Sequence, residues 1–235
     1  MASCIVARAG PHSDIVDLTK HSSVPVINAL SNDYHPLQTI ADFLTIFEAF
    51  SSSPSLSQSH SPIPSLGLQG LKIAWIGDSN NVLFDLAIGS LKLGVHIAVA
   101  SPKGYTIPPL MRDFIMASAS GIASPGKLTE TNVPEEAIKD ADILVTDTWV
   151  SMGQEAESAR RLKAFEGYQI NNELAKRGGA KEGWRFMHCL PRHPEEVADE
   201  VFYSGRSLVF QEAENRLWAA IGKAPLGLIY HIFAK

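Results

Sequence analysis

The stretch LKIAWIGDSNNVLFDLAIGSLKLGVHIAVAS, residues 71–101, decides the fold class. An apolar run of strand length comes first, followed by a helical segment that Gly94 can end, because glycine accepts the left-handed conformation common after helices. A second apolar run, VHIAVAS, follows at once. Two apolar strands joined through a helix predict a parallel pair that is buried on both faces.

The same alternation continues towards the carboxyl end. The sequence predicts helices at PPLMRDFIMASAS, at VPEEAIKD (with Pro134 in its first turn) and from about Glu155, and strands near KLTET, DILVT, GWRFMHCLP and SLVF. We therefore expect an α/β fold, a doubly wound parallel sheet with helices on both faces. Because ligands bind beyond the carboxyl ends of such strands, the residues that directly follow each strand are the functional candidates.

The first fifty residues predict two short strands, SCIVARAG and VPVINAL, with a helix between them. A longer amphipathic helix follows in HPLQTIADFLTIFEAF, with apolar residues at helical spacing at Leu37, Ile40, Ala41, Leu44 and Phe47. A domain seldom begins in the middle of a sheet, so this part is interpreted as the remnant of a larger unit. The Ser- and Pro-rich run SSSPSLSQSHSPIPS predicts a flexible surface loop.

Composition excludes several classes of protein. The chain has 235 residues, of which 45% are hydrophobic and 19% charged, as in a globular domain. The net charge of -5 and the lack of a basic block argue against a nucleic-acid partner, and no apolar run reaches the roughly 20 residues that span a membrane. Cys4 and Cys189 define no disulfide framework, and no targeting segment is recognisable, so a cytoplasmic or mitochondrial location is expected.

Two polar motifs follow predicted strands. GDSNN, residues 77–81, is first of all a capped helix start, and it lacks the second and third glycines of the dinucleotide fingerprint, so a nicotinamide site is not favoured. DTWVSMG, residues 147–153, contains Asp147 and Ser151. Asp147 is either a helix cap or, with Ser151, part of a site for an ammonium group, since both side chains accept hydrogen bonds.

A third motif, HCLPR, places Cys189 near the end of a strand. This cysteine is either a small packing residue or a thiol that neighbouring positive charge tunes towards thiolate. The chain contains no C-x-x-C, H-E-x-x-H or G-x-S-x-G pattern, so we expect neither a zinc site nor a serine nucleophile at an elbow.

Two further clusters have ordinary alternatives. HPLQ places His35 and Gln38 at a helix start, where anions are favoured, although such a histidine is more often a capping or packing residue. EAENR surrounds Arg216 with acids, and its simplest interpretation is a solvated helical face with a pair between Glu212 and Arg216.

Together these pieces resemble the ornithine carbamoyltransferase family, most closely its fungal members. The resemblance lies in YHPLQ, WIGDSNN, SPKGY, DTWVSMGQE, FMHCLPRHPEEVADEVFYS and EAENR, whose order and spacing are specific and extend from about Ile5 to Trp218. It implies one α/β domain for carbamoyl phosphate and one for the amino acid. The expected organisation is a remnant of the first domain with its connecting helix at 1–50, a loop at 51–69, the ornithine-binding domain at 70–218 and a divergent tail at 219–235.

The resemblance also implies a site, with no metal or organic cofactor. Small-molecule substrates are implied as partners: the δ-amine of ornithine attacks the carbamoyl carbon and phosphate leaves, a step of arginine biosynthesis. The implied ornithine-binding residues are Asn81, Asp147, Ser151, Met152 and Leu190. The implied carbamoyl phosphate-binding residues are Arg8, His35, Gln38, Cys189 and Arg216. Asp147, Cys189 and Arg216 carry the implied catalytic roles.

The sequence also departs from the family pattern. The Ser-x-Arg-Thr-Arg loop, which should lie before Arg8, is absent from the printed sequence, so we expect ornithine binding more readily than autonomous citrulline formation. For the same reason a homo-oligomer is possible but the family's trimer is not implied. Gly205 and Gln211 stand where the family has prolines, and Gly222 and Pro225 interrupt the last helix. Three functions stay open: carbamoyl transfer, alone or with a partner that supplies the loop; another reaction on an amino-acid-like substrate; or non-catalytic ornithine binding.

Overall fold

The computed structural model describes residues 2–50, 66–150 and 155–222. Most of the predicted Ser- and Pro-rich loop, the two site residues Ser151 and Met152 and the end of the tail lie outside these residues. Within them the strands form two parallel sheets, one of two strands and one of five. None of the described helices is long and apolar enough to cross a membrane.

The smaller sheet pairs β1 (Ile5–Arg8) with β2 (Val26–Leu30), and α1 (His12–His21) connects the two strands. Of the ten residues of α1 only Ile15 is buried. The following helix, α2 (Pro36–Phe50), belongs instead to the main core, because nine consecutive residues from Gln38 to Ile46 are buried. This helix therefore anchors the first fifty residues to the rest of the molecule.

The larger sheet has the order β5-β4-β3-β6-β7. Its strands are β3 (Lys72–Ile76), β4 (His96–Ala100), β5 (Leu128–Thr131), β6 (Ile143–Thr146) and β7 (Arg185–His188). The chain runs outward from β3 to β5 and then returns to the other side of β3 with β6. The switch point between β3 and β6 is where an open parallel sheet binds its ligands.

Helices cover both faces of this sheet. They are α3 (Asn81–Leu93), α4 (Pro109–Ser118), α5 (Pro134–Ile138), α6 (Ser158–Ala164), α7 (Asn172–Gly178), α8 (Asp199–Phe202) and α9 (Val209–Ile221). Alternate residues of β3 enter different cores: Ile73 and Trp75 pack with α2 and α3, whereas Ala74 and Ile76 pack with α5 and α7. The predicted doubly wound sheet is therefore confirmed.

Local signals confirm several predicted boundaries. Asn80 caps α3 by accepting hydrogen bonds from the Val82 and Leu83 nitrogens, and Gly94 ends that helix with a φ of 72°. Pro134 begins α5.

One predicted strand is wrong. In SLVF, only Ser207 makes an isolated bridge to Phe186, and Val209 already begins α9. A short apolar run fits either element, and here the packing of α9 against α2 favours the helix. Helix α7 was not predicted, although Asn171 caps its start and Gly179, with a φ of 74°, ends it.

Candidate functional site

Three strand ends meet around the carboxylate of Asp147. This residue directly follows β6 and is only 6% exposed. Its Oδ2 accepts a hydrogen bond from Asn80 Nδ2 (2.7 Å) beyond β3, and its Oδ1 accepts one from Cys189 Sγ (3.1 Å) beyond β7. The structure therefore brings together residues that the sequence separates by more than a hundred positions.

The thiol of Cys189 lies in acidic surroundings. Burial raises its pKa well above the usual value, and the nearby carboxyl groups of Asp147, Glu212 and Asp42 raise it further. The alternative that neighbouring positive charge tunes this thiol towards thiolate is therefore wrong. At neutral pH Cys189 is a hydrogen-bond donor rather than a nucleophile.

The neighbouring His188 is buried and held in one tautomer. Its Nδ1 accepts a hydrogen bond from the Leu190 nitrogen (3.0 Å), so the ring proton sits on Nε2, which donates to Glu196 Oε2 (3.0 Å). Leu190 itself adopts a φ of 63°, which is uncommon for a residue other than glycine. The backbone after Cys189 is thus fixed by the ring of His188.

Glu196 connects two of the three strand ends. Its carboxylate also accepts hydrogen bonds from the Trp149 nitrogen (3.1 Å), the His193 nitrogen (2.7 Å) and His193 Nδ1 (2.8 Å). Burial alone would raise the pKa of Glu196, but the hydrogen bonds from His188 and His193 lower it. Sequence reasoning missed this residue, since a glutamate two positions after a proline carries no distinctive signal.

Arg161 of α6 contacts the backbone of Trp149, the residue whose nitrogen donates to Glu196. The Arg161 guanidinium is buried, pairs with Asp78 beyond β3 and donates through Nε to the Trp149 carbonyl oxygen. It also lies over the ring of Tyr105, 4.8 Å from the centroid. Burial raises the pKa of Asp78 to about 6 even though Arg161 opposes the shift. Sequence reasoning placed Arg161 on a charged helix and missed this partner.

Asn81, the first residue of α3, points to the linker between the two sheets. Its Nδ2 donates to the Ser31 carbonyl oxygen (2.6 Å). The side chain that contacts Asp147 is that of Asn80, the helix cap, and the ornithine-binding role that the resemblance implies for Asn81 stays a prediction.

A second polar cluster joins α2 to α9. Arg216 NH1 donates to Gln38 Oε1 and to His35 Nε2 (3.3 Å). Because an arginine only donates, the His35 ring proton lies on Nδ1, which is buried without a hydrogen-bond partner among the described residues, as is Arg216 Nε. Burial lowers the pKa of His35 to about 3, and the charges of Arg216 and Arg8 add to this shift. Arg8 itself stays exposed on β1.

Glu212 contradicts the interpretation of EAENR as a solvated face. It is only 2% exposed and bonds to Gln38 Nε2 (2.9 Å) and to the His188 nitrogen (2.9 Å) instead of pairing with Arg216. The reason is that this side of α9 faces α2 and β7. Glu212 links the cluster at His35 with the strand end that carries Cys189.

Asp42, on α2, is the second buried acid of this cluster. Its Oδ1 accepts from Gln38 Nε2 (2.7 Å). Burial raises its pKa to about 7 and raises the pKa of Glu212 well above the usual value. Among the described residues no three His, Cys, Asp or Glu side chains form a group that could hold a metal ion.

Two family models match this chain. Residues 69–224 match the model described as aspartate/ornithine carbamoyltransferase, Asp/Orn binding domain, and residues 1–48 match the carbamoyl-P binding domain of the same family.

The chain belongs to the aspartate/ornithine carbamoyltransferase family.

Relatives within this family are close in sequence and in structure. The mitochondrial ornithine carbamoyltransferase of Emericella nidulans is 69% identical over 221 residues, which are 94% of this chain and 60% of the relative. The structure of a mitochondrial ornithine carbamoyltransferase from Coccidioides immitis has a TM-score of 0.85 at 60% identity and covers 100% of this chain and 69% of that one. The structure of the ornithine carbamoyltransferase from Pyrococcus furiosus has a TM-score of 0.81 at 39% identity. The match covers 96% of this chain and 67% of that one.

The family comparison confirms the predicted resemblance, including the likeness to fungal members. The chain spans about 60% of the length of the curated relatives from Emericella nidulans and Aspergillus terreus. The two-stranded sheet lies in the region of the carbamoyl-P binding model, and the five-stranded sheet lies in that of the Asp/Orn binding model.

Proposed function

We propose that this chain contributes to carbamoyl transfer from carbamoyl phosphate to the δ-amine of ornithine. The observation that carries the proposal is the buried Asp147 carboxylate at the switch point of the sheet, held between Asn80 and Cys189. A buried carboxylate at such a position suits a cationic ligand, because an unpaired buried charge is costly. Ornithine presents ammonium groups and fits the family.

In this proposal residues 70–218 hold the amino acid. Asp147 receives an ammonium group of ornithine, and Asn81 and Leu190 line the same end of the sheet. The resemblance gives the same role to Ser151 and Met152, which lie outside the described residues. Glu196 and Arg161 hold the loop that begins at Trp149, the first from the Trp149 nitrogen and the second from its carbonyl oxygen.

Residues 1–50 and α9 supply the carbamoyl phosphate side in the same proposal. His35 Nδ1 and Arg216 Nε are buried donors that have no hydrogen-bond partner within residues 2–50, 66–150 and 155–222, and an anionic, oxygen-rich ligand would satisfy both. Gln38 lies between them and the acids, and Arg8 adds positive charge. These groups suit the charge that develops on the carbamoyl oxygen and the departing phosphate.

The proposed chemistry requires the loss of protons from the ornithine nitrogen. A free amine of this kind has a pKa near that of lysine, about 10.4, so the ammonium form must first give up a proton. Cys189 is a neutral thiol and cannot take it, whereas the Asp147 carboxylate can. The nitrogen then attacks the carbamoyl carbon, the carbon–oxygen bond to phosphate breaks, and the departing phosphate takes the second proton.

Calorimetric titration with ornithine tests the amino-acid side. We expect binding by the chain and at least about a tenfold loss of affinity in Asp147→Asn, because a charge-assisted hydrogen bond contributes about 1.5–3 kcal/mol. Asp113→Asn changes an exposed carboxylate of α4 and should bind as the parent does. Absence of ornithine binding by the parent chain would contradict the proposal, and tighter binding of a different amino acid would favour a repurposed site.

A citrulline assay with carbamoyl phosphate tests the transfer itself. Citrulline formation that disappears in Asp147→Asn would support the full proposal. Ornithine binding without citrulline would restrict the role of these 235 residues to the amino-acid side.

We also propose a mitochondrial location, because the relatives from Emericella nidulans and Coccidioides immitis are mitochondrial ornithine carbamoyltransferases. Cell fractionation with an antibody against this chain tests it, and recovery outside mitochondria would contradict it.

A further inference from the structure

The side-chain amide of Gln38 makes hydrogen bonds to two acids and one arginine. Nε2 carries two hydrogens, and these go to Asp42 Oδ1 (2.7 Å) and Glu212 Oε1 (2.9 Å). Oε1 accepts from Arg216 NH1. Gln38 is 1% exposed, so water does not compete for these bonds. The second lone pair of Oε1 is the one position of the amide that can still accept a hydrogen bond.

The Arg216 guanidinium, which can only donate, fixes this orientation of the amide. If the oxygen and nitrogen exchanged places, the amide oxygen would face two carboxyl oxygens and the amide nitrogen would face the Arg216 guanidinium, which has no acceptor. The two acids are themselves held in place. Glu212 Oε2 accepts from the His188 nitrogen, and Asp42 lies on the buried side of α2.

The other charged and titratable groups around the amide do not favour the exchanged orientation. Arg216 and His35 lie on the oxygen side, and the His35 ring is neutral because burial lowers its pKa to about 3. Asp147 raises the pKa of both acids, and all three carboxyl groups raise the pKa of the Cys189 thiol. The positive charge therefore sits at the amide oxygen, and the acids sit at the amide nitrogen.

We propose that Asp42 and Glu212 determine the acyl specificity of the site by turning Gln38 into a pure hydrogen-bond acceptor. With both N–H groups consumed, Gln38 can contact only a ligand that offers an N–H or O–H. A carbamoyl group offers its –NH2 there, whereas an acetyl group of nearly the same shape offers a methyl. The inference rests on the proposed function, and it assigns to two buried acids the discrimination of carbamoyl phosphate from acetyl phosphate.

Glu212→Gln is the informative variant. The new amide has one acceptor oxygen, which cannot serve both Gln38 Nε2 and the His188 nitrogen as the two carboxyl oxygens do. Gln38 then has an N–H without an acceptor, and its fixed orientation is lost. Asp42→Asn tests the same point from the other acid if the first variant folds poorly. Glu214→Gln is the matched control, because Glu214 lies exposed on the same helix.

The test compares the dissociation constants of carbamoyl phosphate, acetyl phosphate and inorganic phosphate by phosphorus NMR. The parent chain and Glu214→Gln should prefer carbamoyl over acetyl phosphate by about tenfold or more, since an unpaired buried acceptor is costly. Glu212→Gln should bring this ratio close to one and leave inorganic phosphate binding unchanged. Equal affinities in the parent chain, or an unchanged ratio in both acid variants, would overturn the inference.

A second measurement separates this inference from the proposed function. If the chain binds none of the three ligands, carbamoyl phosphate binding by these residues fails, but the orientation of Gln38 can still be observed. Nitrogen NMR of its side-chain NH2, assigned by its disappearance in Gln38→Met, should show two distinct protons protected from exchange with water. Protection that is lost in Glu212→Gln supports the inference, and rapid exchange in the parent chain overturns it.

Discussion

At the scale of single residues, burial and neighbouring charge decide what each polar group does. Cys189 illustrates this. The sequence places a cysteine between a histidine and a leucine, but Asp147, Glu212 and Asp42, which raise the pKa of its thiol, come from three other parts of the chain. A cysteine can be a thiol or a thiolate, and here the surrounding carboxyl groups favour the neutral thiol.

The two cysteines should therefore react at very different rates. At pH 8 we expect iodoacetamide to alkylate the exposed Cys4 rapidly and Cys189 at least about tenfold more slowly, because the thiolate is the reactive form. Mass spectrometry of digested samples measures both rates. Asp147→Asn should accelerate alkylation of Cys189 and leave Cys4 unchanged; equal rates for the two cysteines in the parent chain would contradict the assignment.

His35 and Asp85 are hydrogen-bonded to each other, and their contributions to stability depend on pH in opposite directions. The His35 nitrogen donates to Asp85 Oδ2 (2.6 Å). Burial lowers the pKa of His35 from 6.5 to about 3, so its contribution to stability is lost as pH falls through that window. Burial raises the pKa of Asp85 from 3.8 to about 7, so stability decreases as pH rises through that window.

Asp85→Asn should remove one of these two opposing effects. The amide oxygen can still accept from the His35 nitrogen, but it carries no charge at high pH. We expect the free energy of unfolding to increase by roughly 1–3 kcal/mol at pH 8, less than the whole shift implies because Asp85 is partly exposed, and to change little near pH 4. Urea unfolding at pH 4, 6 and 8 measures this. Asp113→Asn is the control, and a parallel pH dependence in Asp85→Asn and the parent chain would contradict the role of Asp85.

At the scale of elements, the site depends on connections between the segments that follow different strands. Glu196 joins the segment after β6 to the segment after β7, because it accepts from the Trp149 nitrogen and from His188 Nε2. Arg161 of α6 joins the first of these segments to Asp78 beyond β3.

Glu196→Gln should weaken both connected segments. A glutamine has one acceptor oxygen for four donors, so at least two donors lose their partner, at about 1–3 kcal/mol for each one that is buried. We expect unfolding at lower urea concentration and weaker ornithine binding by calorimetry. Glu195→Gln changes the adjacent, partly exposed carboxylate and should do neither. Unchanged stability and affinity in Glu196→Gln would show that the connection is not needed.

At the scale of the whole molecule, the two sheets differ in how well they are buried. Trp75, Ile73 and Ile97 in the five-stranded sheet are nearly inaccessible to solvent. In the first thirty residues, by contrast, Val6 and Ile27 are 61% and 40% exposed. Helix α2 and the adjoining linker hold this smaller sheet to the main core.

Hydrogen exchange should reveal this difference. We expect amides of β1 and β2 to exchange at least about a hundredfold faster than those of β3, β4 and β6, since regions with few buried apolar contacts open with lower free energy. Amides of α2 should resemble those of the larger sheet, because its residues belong to that core. Equal protection of β1 and β3 would show that the molecule opens as one unit.

Much of this architecture could be predicted because the sequence signals were local. Apolar runs gave β3, β4 and β6, and Gly94 and Pro134 gave helix boundaries, since each depends on a few neighbouring residues. The wrong strand at SLVF shows the limit of the method. Four residues fit either element, and the packing of α9 against α2, more than 150 positions earlier in the chain, decided between them.

By itself the sequence determined the α/β class, the strand ends on which functional residues lie and, through the order of its motifs, the family. Only the tertiary structure decided how those residues combine: that Asp147 meets Asn80 and Cys189, that Glu196 joins two loops and that Glu212 is buried against Gln38. The physical reason is that strand and helix signals arise from neighbouring residues. Hydrogen bonds and pKa shifts in a site arise from groups that folding brings together from distant parts of the chain.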